Sequence, residues 1–230
     1  MDHRDNPERA PGQSSASDDP VLARCRRIAT STWSDALDQL GIRGVVEGIT
    51  PRTGSERIAG RAVTVHEDVR PLGAYPVEEF AVGRILQAGA TDDVLVIDMG
   101  GAAVSTLGGL AAQAATARGI AGVVIDGGCR DIEEIRPIAL FVASRHVTPV
   151  SGKQRAQVVS INETVRLGGI SVSHGDYVIA DLTGIVVVPA ARVQEALRLA
   201  EHLESQDGRF RQALDAGGEF AAIAATLRHL

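Results

Sequence analysis

Residues 122–135 read Gly-Val-Val-Ile-Asp-Gly-Gly-Cys-Arg-Asp-Ile-Glu-Glu-Ile. The aliphatic run at the start lacks the alternation of a half-exposed strand and is too short for a helix, so it predicts a strand buried on both faces. The two glycines after Asp126 read as a turn that delivers Arg130 and Asp131 to the start of a helix over 131–136. Runs of the same kind stand at 62–65 (AVTV), 94–98 (VLVID), 177–181 (YVIAD) and 185–188 (IVVV). Helices are expected between them at 77–88 and 109–118, and this alternation of strand and helix specifies an α/β fold. Before them, Val21, Cys25 and Ile28 at helical spacing and the segment 34–41, closed by Gly41, predict two short opening helices. Near the end, Val193, Ala196, Leu197, Ala200 and Leu203 form an apolar stripe, and Phe210, Leu214, Phe220 and Ile223 continue helical patterning. Residues 1–19 carry no large aliphatic side chain after Met1 and are expected to be a disordered tail, with one α/β domain over 20–230.

Composition narrows the function. A chain of 230 residues, 44% hydrophobic and 23% charged, can bury one core. Aromatic residues make up only 3%, so Val, Ile, Leu and Ala must fill that core. A net charge of −6 is the wrong sign for a nucleic-acid partner, which calls for clustered Lys and Arg. Cys25 and Cys129 form no CxxC pair, and no apolar run approaches the ~18 residues of a membrane span. A reducing, cytoplasmic setting without membrane attachment is therefore expected.

Three strand runs are followed by an acid and glycine: Asp98-Met-Gly-Gly101, Asp126-Gly-Gly128 and Asp181-Leu-Thr-Gly184. Ligand crevices of open α/β sheets lie beyond such strand ends, although an aspartate there also starts a turn through its own side chain. Arg130 offers a fork of donors for a carboxylate or enolate oxygen, and Asp131 beside it can hold a hard divalent cation. Asp131 with Glu134 three residues on equally has the form of a helix cap, and both readings stand. Gly108-Gly-Leu-Ala111 precedes a helix whose free N–H groups can receive an anion, or is simply a glycine turn. No nucleotide-binding glycine motif, GxSxG elbow or HxxxH pair occurs. Cys129 beside Arg130 is either an activated thiol or a small buried filler.

Four segments, 34–41, 58–65, 119–131 and 174–181, resemble in order and content the RraA-like family, which includes 4-hydroxy-4-methyl-2-oxoglutarate aldolases with oxaloacetate decarboxylase activity. The resemblance covers roughly 20–217 and implies an α/β sandwich with a compact β-core flanked by helices, assembled as a homotrimer or hexamer. It implies catalytic roles for Arg130 and Asp131 and a substrate carboxylate held by the amides of Gly108, Gly109, Leu110 and Ala111, with Arg130 on substrate. It further implies Mg²⁺ or Mn²⁺ on Asp131, with Glu204 supplied by a neighbouring subunit. Two departures from the common family pattern are Gly109-Leu110, where many members carry an acid, and Asp181-Leu-Thr-Gly184, where many read Asp-x-Asp-Gly. The expected activity is a metal-dependent class II lyase. It would cleave 4-hydroxy-2-keto acids to pyruvate and a second keto acid through a metal-stabilised enolate, and would also decarboxylate oxaloacetate. The single lysine, Lys153, lies in a polar Ser-Gly-Lys-Gln segment, which makes a Schiff-base route the poorer fit. The same resemblance includes a non-catalytic regulator that binds a ribonuclease. Regulatory members commonly lose the aspartate at position 131, so its presence favours the enzyme.

Overall fold

The computed structural model describes residues 19–54 and 56–227. Two short helices open it, α1 (Pro20–Cys25) and α2 (Thr30–Gln39). Strands β1 (Thr50–Thr53) and β2 (Ile58–Val69), helix α3 (Val82–Ala88), strands β3 (Asp93–Asp98) and β4 (Ser105–Leu107) and helix α4 (Gly109–Ala117) follow. Next come β5 (Gly122–Cys129), α5 (Ile132–Ile135), β6 (Phe141–Val147), β7 (Ala156–Ile161), β8 (Val165–Leu167) and β9 (Ile170–Val172). Strands β10 (Tyr177–Ala180) and β11 (Ile185–Val188) and helices α6 (Val193–Asp215) and α7 (Phe220–Leu227) complete the chain. One sheet runs β1-β6-β5-β3-β2-β10-β11, with β4 added to β5 and β7 to β2, while β8 and β9 form a separate hairpin.

The central pairs β2–β3, β3–β5 and β5–β6 are parallel, and antiparallel partners close both ends. Both faces of this centre are buried. Leu95, Ile97, Val123 and Ile125 face a core with Ile85, Ala112, Ala115 and Ile135 of the helices. Val94, Val96 and Val124 face the β8–β9 hairpin through Val165, Leu167 and Val172. Two buried faces explain why the strands read as continuous aliphatic runs. A third core packs α1, α2 and α6 on β10 and β11 around Trp33, which is fully buried.

Four expectations need correction. Residues 1–18 of the expected tail lie outside the described residues, but Asp19 is ordered, because its carboxylate accepts the Val21 N–H at 2.9 Å and caps α1. The helix expected at 77–88 is a 3₁₀ turn (Val77–Glu79) and then α3, broken where Phe80 leaves helical geometry and packs against the core. No turn follows Asp126: β5 runs through Gly127, Gly128 and Cys129. Those glycines serve close packing, since a Cβ at Gly127 would lie 2.8 Å from Met99 Cβ and one at Gly128 2.7 Å from the Val104 carbonyl. The helix expected at 131–136 is the single turn α5.

Among the described residues no helix is long and apolar enough to cross a membrane.

Candidate active site

Asp131 has left-handed backbone geometry, φ 56° and ψ 39°, and its carboxylate does not cap its own helix. It reaches back instead to α4, where Oδ2 accepts the Gly109 N–H at 3.1 Å. The cap reading of Asp131 and Glu134 is therefore corrected: the aspartate serves the neighbouring helix. Helix α4 has no side-chain cap of its own, and the N–H groups of Leu110 and Ala111 in its first turn have no acceptor within the helix. Strand β5 and the link to β4 fix the other half of the site, with the Arg130 N–H on the Leu107 carbonyl at 2.9 Å and Arg130 Nε 3.4 Å from Asp131 Oδ2.

These groups line one cavity of about 350 Å³. Gly108, Gly109, Leu110 and Ala111 line it together with Arg130, Asp131 and Glu134. Thr106, Phe80, Ser151 and Lys153 also line it. The tertiary structure thus brings Glu134 and Lys153 to the site: two cations and two carboxylates share one pocket. The signal for Glu134 was its one-turn spacing from Asp131; for Lys153, arriving through the loop after β6, no local signal existed. Asp131 and Arg130 are about one-third exposed, at 34% and 39%, so solvent and ligand can reach both.

A side chain at either glycine would crowd the site. A Cβ on Gly108 would stand 2.5 Å from Asp131 Oδ2 and 3.0 Å from Arg130 Nε, and a Cβ on Gly109 would meet the Glu134 side chain.

Glu204 lies elsewhere in the chain. It pairs with Arg211 at 3.1 Å and lines a separate cavity of about 470 Å³ with Ser31, Arg57, Phe210 and Phe220. A second copy of the chain would have to carry it to Asp131. Among the described residues no group of three or more His, Cys, Asp and Glu is arranged to hold a metal ion.

The three strand-end acids separate cleanly from the site. Asp98 accepts the Gly100 N–H at 2.9 Å and the Arg166 N–H at 3.0 Å. Asp126 pairs with Arg145 Nε at 2.6 Å and accepts the Gly168 N–H at 2.8 Å, tying β5 to β6 and to the β8–β9 turn. Asp181 accepts from Thr30 N and Oγ1 and from Thr183 and Gly184 N, capping α2 from a distance. Burial raises its pKa, but those hydrogen bonds outweigh burial and hold it below the usual carboxylate range. Cys129 is buried against Ser144, and burial pushes its thiol upward, so the filler reading holds.

Comparison with known proteins agrees with this frame. Residues 30–187 match the RraA-like family model, described as Aldolase/RraA. A Halalkalibacterium halodurans protein provisionally named 4-hydroxy-4-methyl-2-oxoglutarate aldolase is 27% identical over 81% of the chain and 84% of its own length. An uncharacterized protein from Pseudomonas syringae has the same fold with a TM-score of 0.80, at 29% identity over 94% of this chain and 98% of that one. Streptomyces coelicolor RraAS2, described as an unusual member of the RNase ES inhibitor RraA protein family, superposes with a TM-score of 0.77. It is 27% identical, over 85% of this chain and 98% of its own.

Proposed function

The chain belongs to the RraA-like family, and on that premise we propose that it is a lyase releasing pyruvate from 4-hydroxy-4-methyl-2-oxoglutarate-type keto acids and from oxaloacetate. The single observation that carries this reading is the convergence of Arg130, Asp131 and the open amino end of α4 on one cavity. The first-turn N–H groups of Leu110 and Ala111 offer donors to the substrate's 1-carboxylate, and the helix dipole favours that charge. Arg130 faces the keto oxygen, where negative charge grows as the carbon–carbon bond breaks. Lys153, on the same cavity, gives the second carboxylate of a dicarboxylic keto acid a counter-charge.

Asp131 and Glu134, two carboxylates on the same cavity, fit Mg²⁺ or Mn²⁺, which take hard oxygen donors and, for Mg²⁺, retain several waters. Asp131 would hold the ion, with Glu134 beside it and Glu204 contributed only from a second copy, as in a trimer or hexamer. Such an ion supplies charge stabilisation to the developing oxyanion.

The test is a coupled pyruvate assay on both substrates. Release from both supports the lyase; release from neither overturns it and favours the ribonuclease-binding regulator. Borohydride added with pyruvate should leave the protein mass unchanged, since Lys153 is assigned to charge pairing and a trapped adduct would assign it to covalent chemistry. Gly108→Ala should raise KM about tenfold, because its Cβ displaces the two side chains that meet substrate, while Tm stays within ~2 °C. An unchanged KM would show that the glycine wall does not approach the ligand.

A further inference from the structure

Glu67 lies on β2, and only 1% of it is exposed. Val63, Val65 and Val69, at the same strand parity, belong to the helix-side core, so Glu67 points into the layer that holds the cavity. Among the described residues neither carboxyl oxygen has a hydrogen-bond partner, and the same is true of the buried Thr106 hydroxyl. Thr106 lines the cavity of Arg130 and Asp131. Its hydroxyl is close enough to the Glu67 carboxyl to oppose the effect of burial on it, without completing a hydrogen bond. A buried carboxyl and a buried hydroxyl, both unsatisfied and adjacent, sit directly behind the site. Such groups are costly to keep, and ordinary packing does not require them.

We propose that Glu67 is the proton store of this site, exchanging protons with bound keto acid through the Thr106 hydroxyl. The inference rests on the pyruvate-lyase reading. In aldol cleavage the C4 hydroxyl passes its proton through Thr106 Oγ1 to the Glu67 carboxylate. The C3–C4 bond breaks, C4 becomes a carbonyl, and the electron pair forms the pyruvate enolate. The proton then returns by the same route to C3, and pyruvate leaves. In oxaloacetate decarboxylation the C3–C4 bond breaks with loss of CO₂, and C3 takes the proton of the neutral Glu67 acid, which water replaces.

Burial pushes the Glu67 carboxyl up to about 7, against the opposing Thr106 contact, so both protonation states are accessible near neutrality. The neighbouring charged groups are otherwise placed. His66 and Asp68 point to the other strand face, and Glu79 of the 3₁₀ turn engages Gln157 of β7 at 3.2 Å. Arg130, Asp131, Glu134 and Lys153 line the cavity with Thr106.

The two reactions need opposite states of Glu67. Aldol cleavage should rise as pH increases through about 7, and decarboxylation should fall over the same range. Glu67→Gln keeps the shape but cannot carry the proton. It should flatten both limbs and lower kcat about tenfold, with KM within about twofold of wild type. Thr106→Val, which leaves Glu67 in place, should flatten them as well and decides the matter if the first variant does not fold. Thermal melting gives a readout free of activity. A raised folded-state pKa means that stability is present at low pH and lost as pH rises through about 7, so Glu67→Gln should gain Tm relative to wild type between pH 5 and 8. An active wild type whose limbs survive both substitutions overturns this inference and leaves the lyase intact. A wild type that releases no pyruvate overturns both.

Discussion

Asp131→Asn is expected to lower kcat/KM for pyruvate release on the order of 100-fold while melting within ~2 °C of wild type. The reason for the second half is conformational. Position 131 holds φ 56° and ψ 39°, and asparagine enters that left-handed region about as readily as aspartate. Its amide oxygen can still accept the Gly109 N–H that Asp131 accepts at 3.1 Å. What the substitution removes is the negative charge, which a divalent cation requires and a helix-end contact does not. Excess chelator on the wild type should reproduce the loss, and added Mg²⁺ should restore the chelated wild type but not the variant. Steady-state pyruvate assays and calorimetry on the same preparations check this. A fully active Asp131→Asn protein would make the aspartate a structural link between α4 and α5 and nothing more.

Asp126→Ala should do the reverse, costing roughly 2–3 kcal/mol of stability while leaving kcat/KM of the folded protein within about twofold. The side chain is 10% exposed and satisfies two partners on different elements, Arg145 Nε and the Gly168 N–H. Its removal leaves the guanidinium and the amide unpaired. The hydrogen bond that Arg145 donates to the Asp126 carboxylate holds the Arg145 pKa above its ordinary value, which shows the same dependence from the other partner. Arg145 is 30% exposed and recovers some water contact, which keeps the expected cost below that of a fully buried pair. Denaturant midpoints for the variant and wild type give the comparison. A drop in turnover without a drop in stability would move Asp126 into the site.

These two aspartates show where reading from sequence succeeds and where it stops. They flank the same pair of glycines, Gly127 and Gly128, in strand-associated text. Asp131 opens onto the cavity because β5 ends at Cys129 and the chain turns through one left-handed residue. Asp126, inside the strand, faces Arg145 and Gly168, which lie 19 and 42 residues away. Partners that distant leave no trace in local spacing. The polar residues Ser144, Arg145 and His146 likewise hid β6: they occupy sheet positions because they bond Cys129, Asp126 and Gly101.

The residues alone determined the α/β class, the five aliphatic strand runs and the pairing of Arg130 with Asp131, because burial on both faces and helix periodicity leave direct marks in the order of side chains. Only the folded chain decided that Lys153, Glu134 and Thr106 share one cavity, that Glu67 stands unpartnered behind it, and that Glu204 faces a different one. Those relations depend on which strands lie side by side in the sheet and on parity across it, and strand order is set by packing over the whole core.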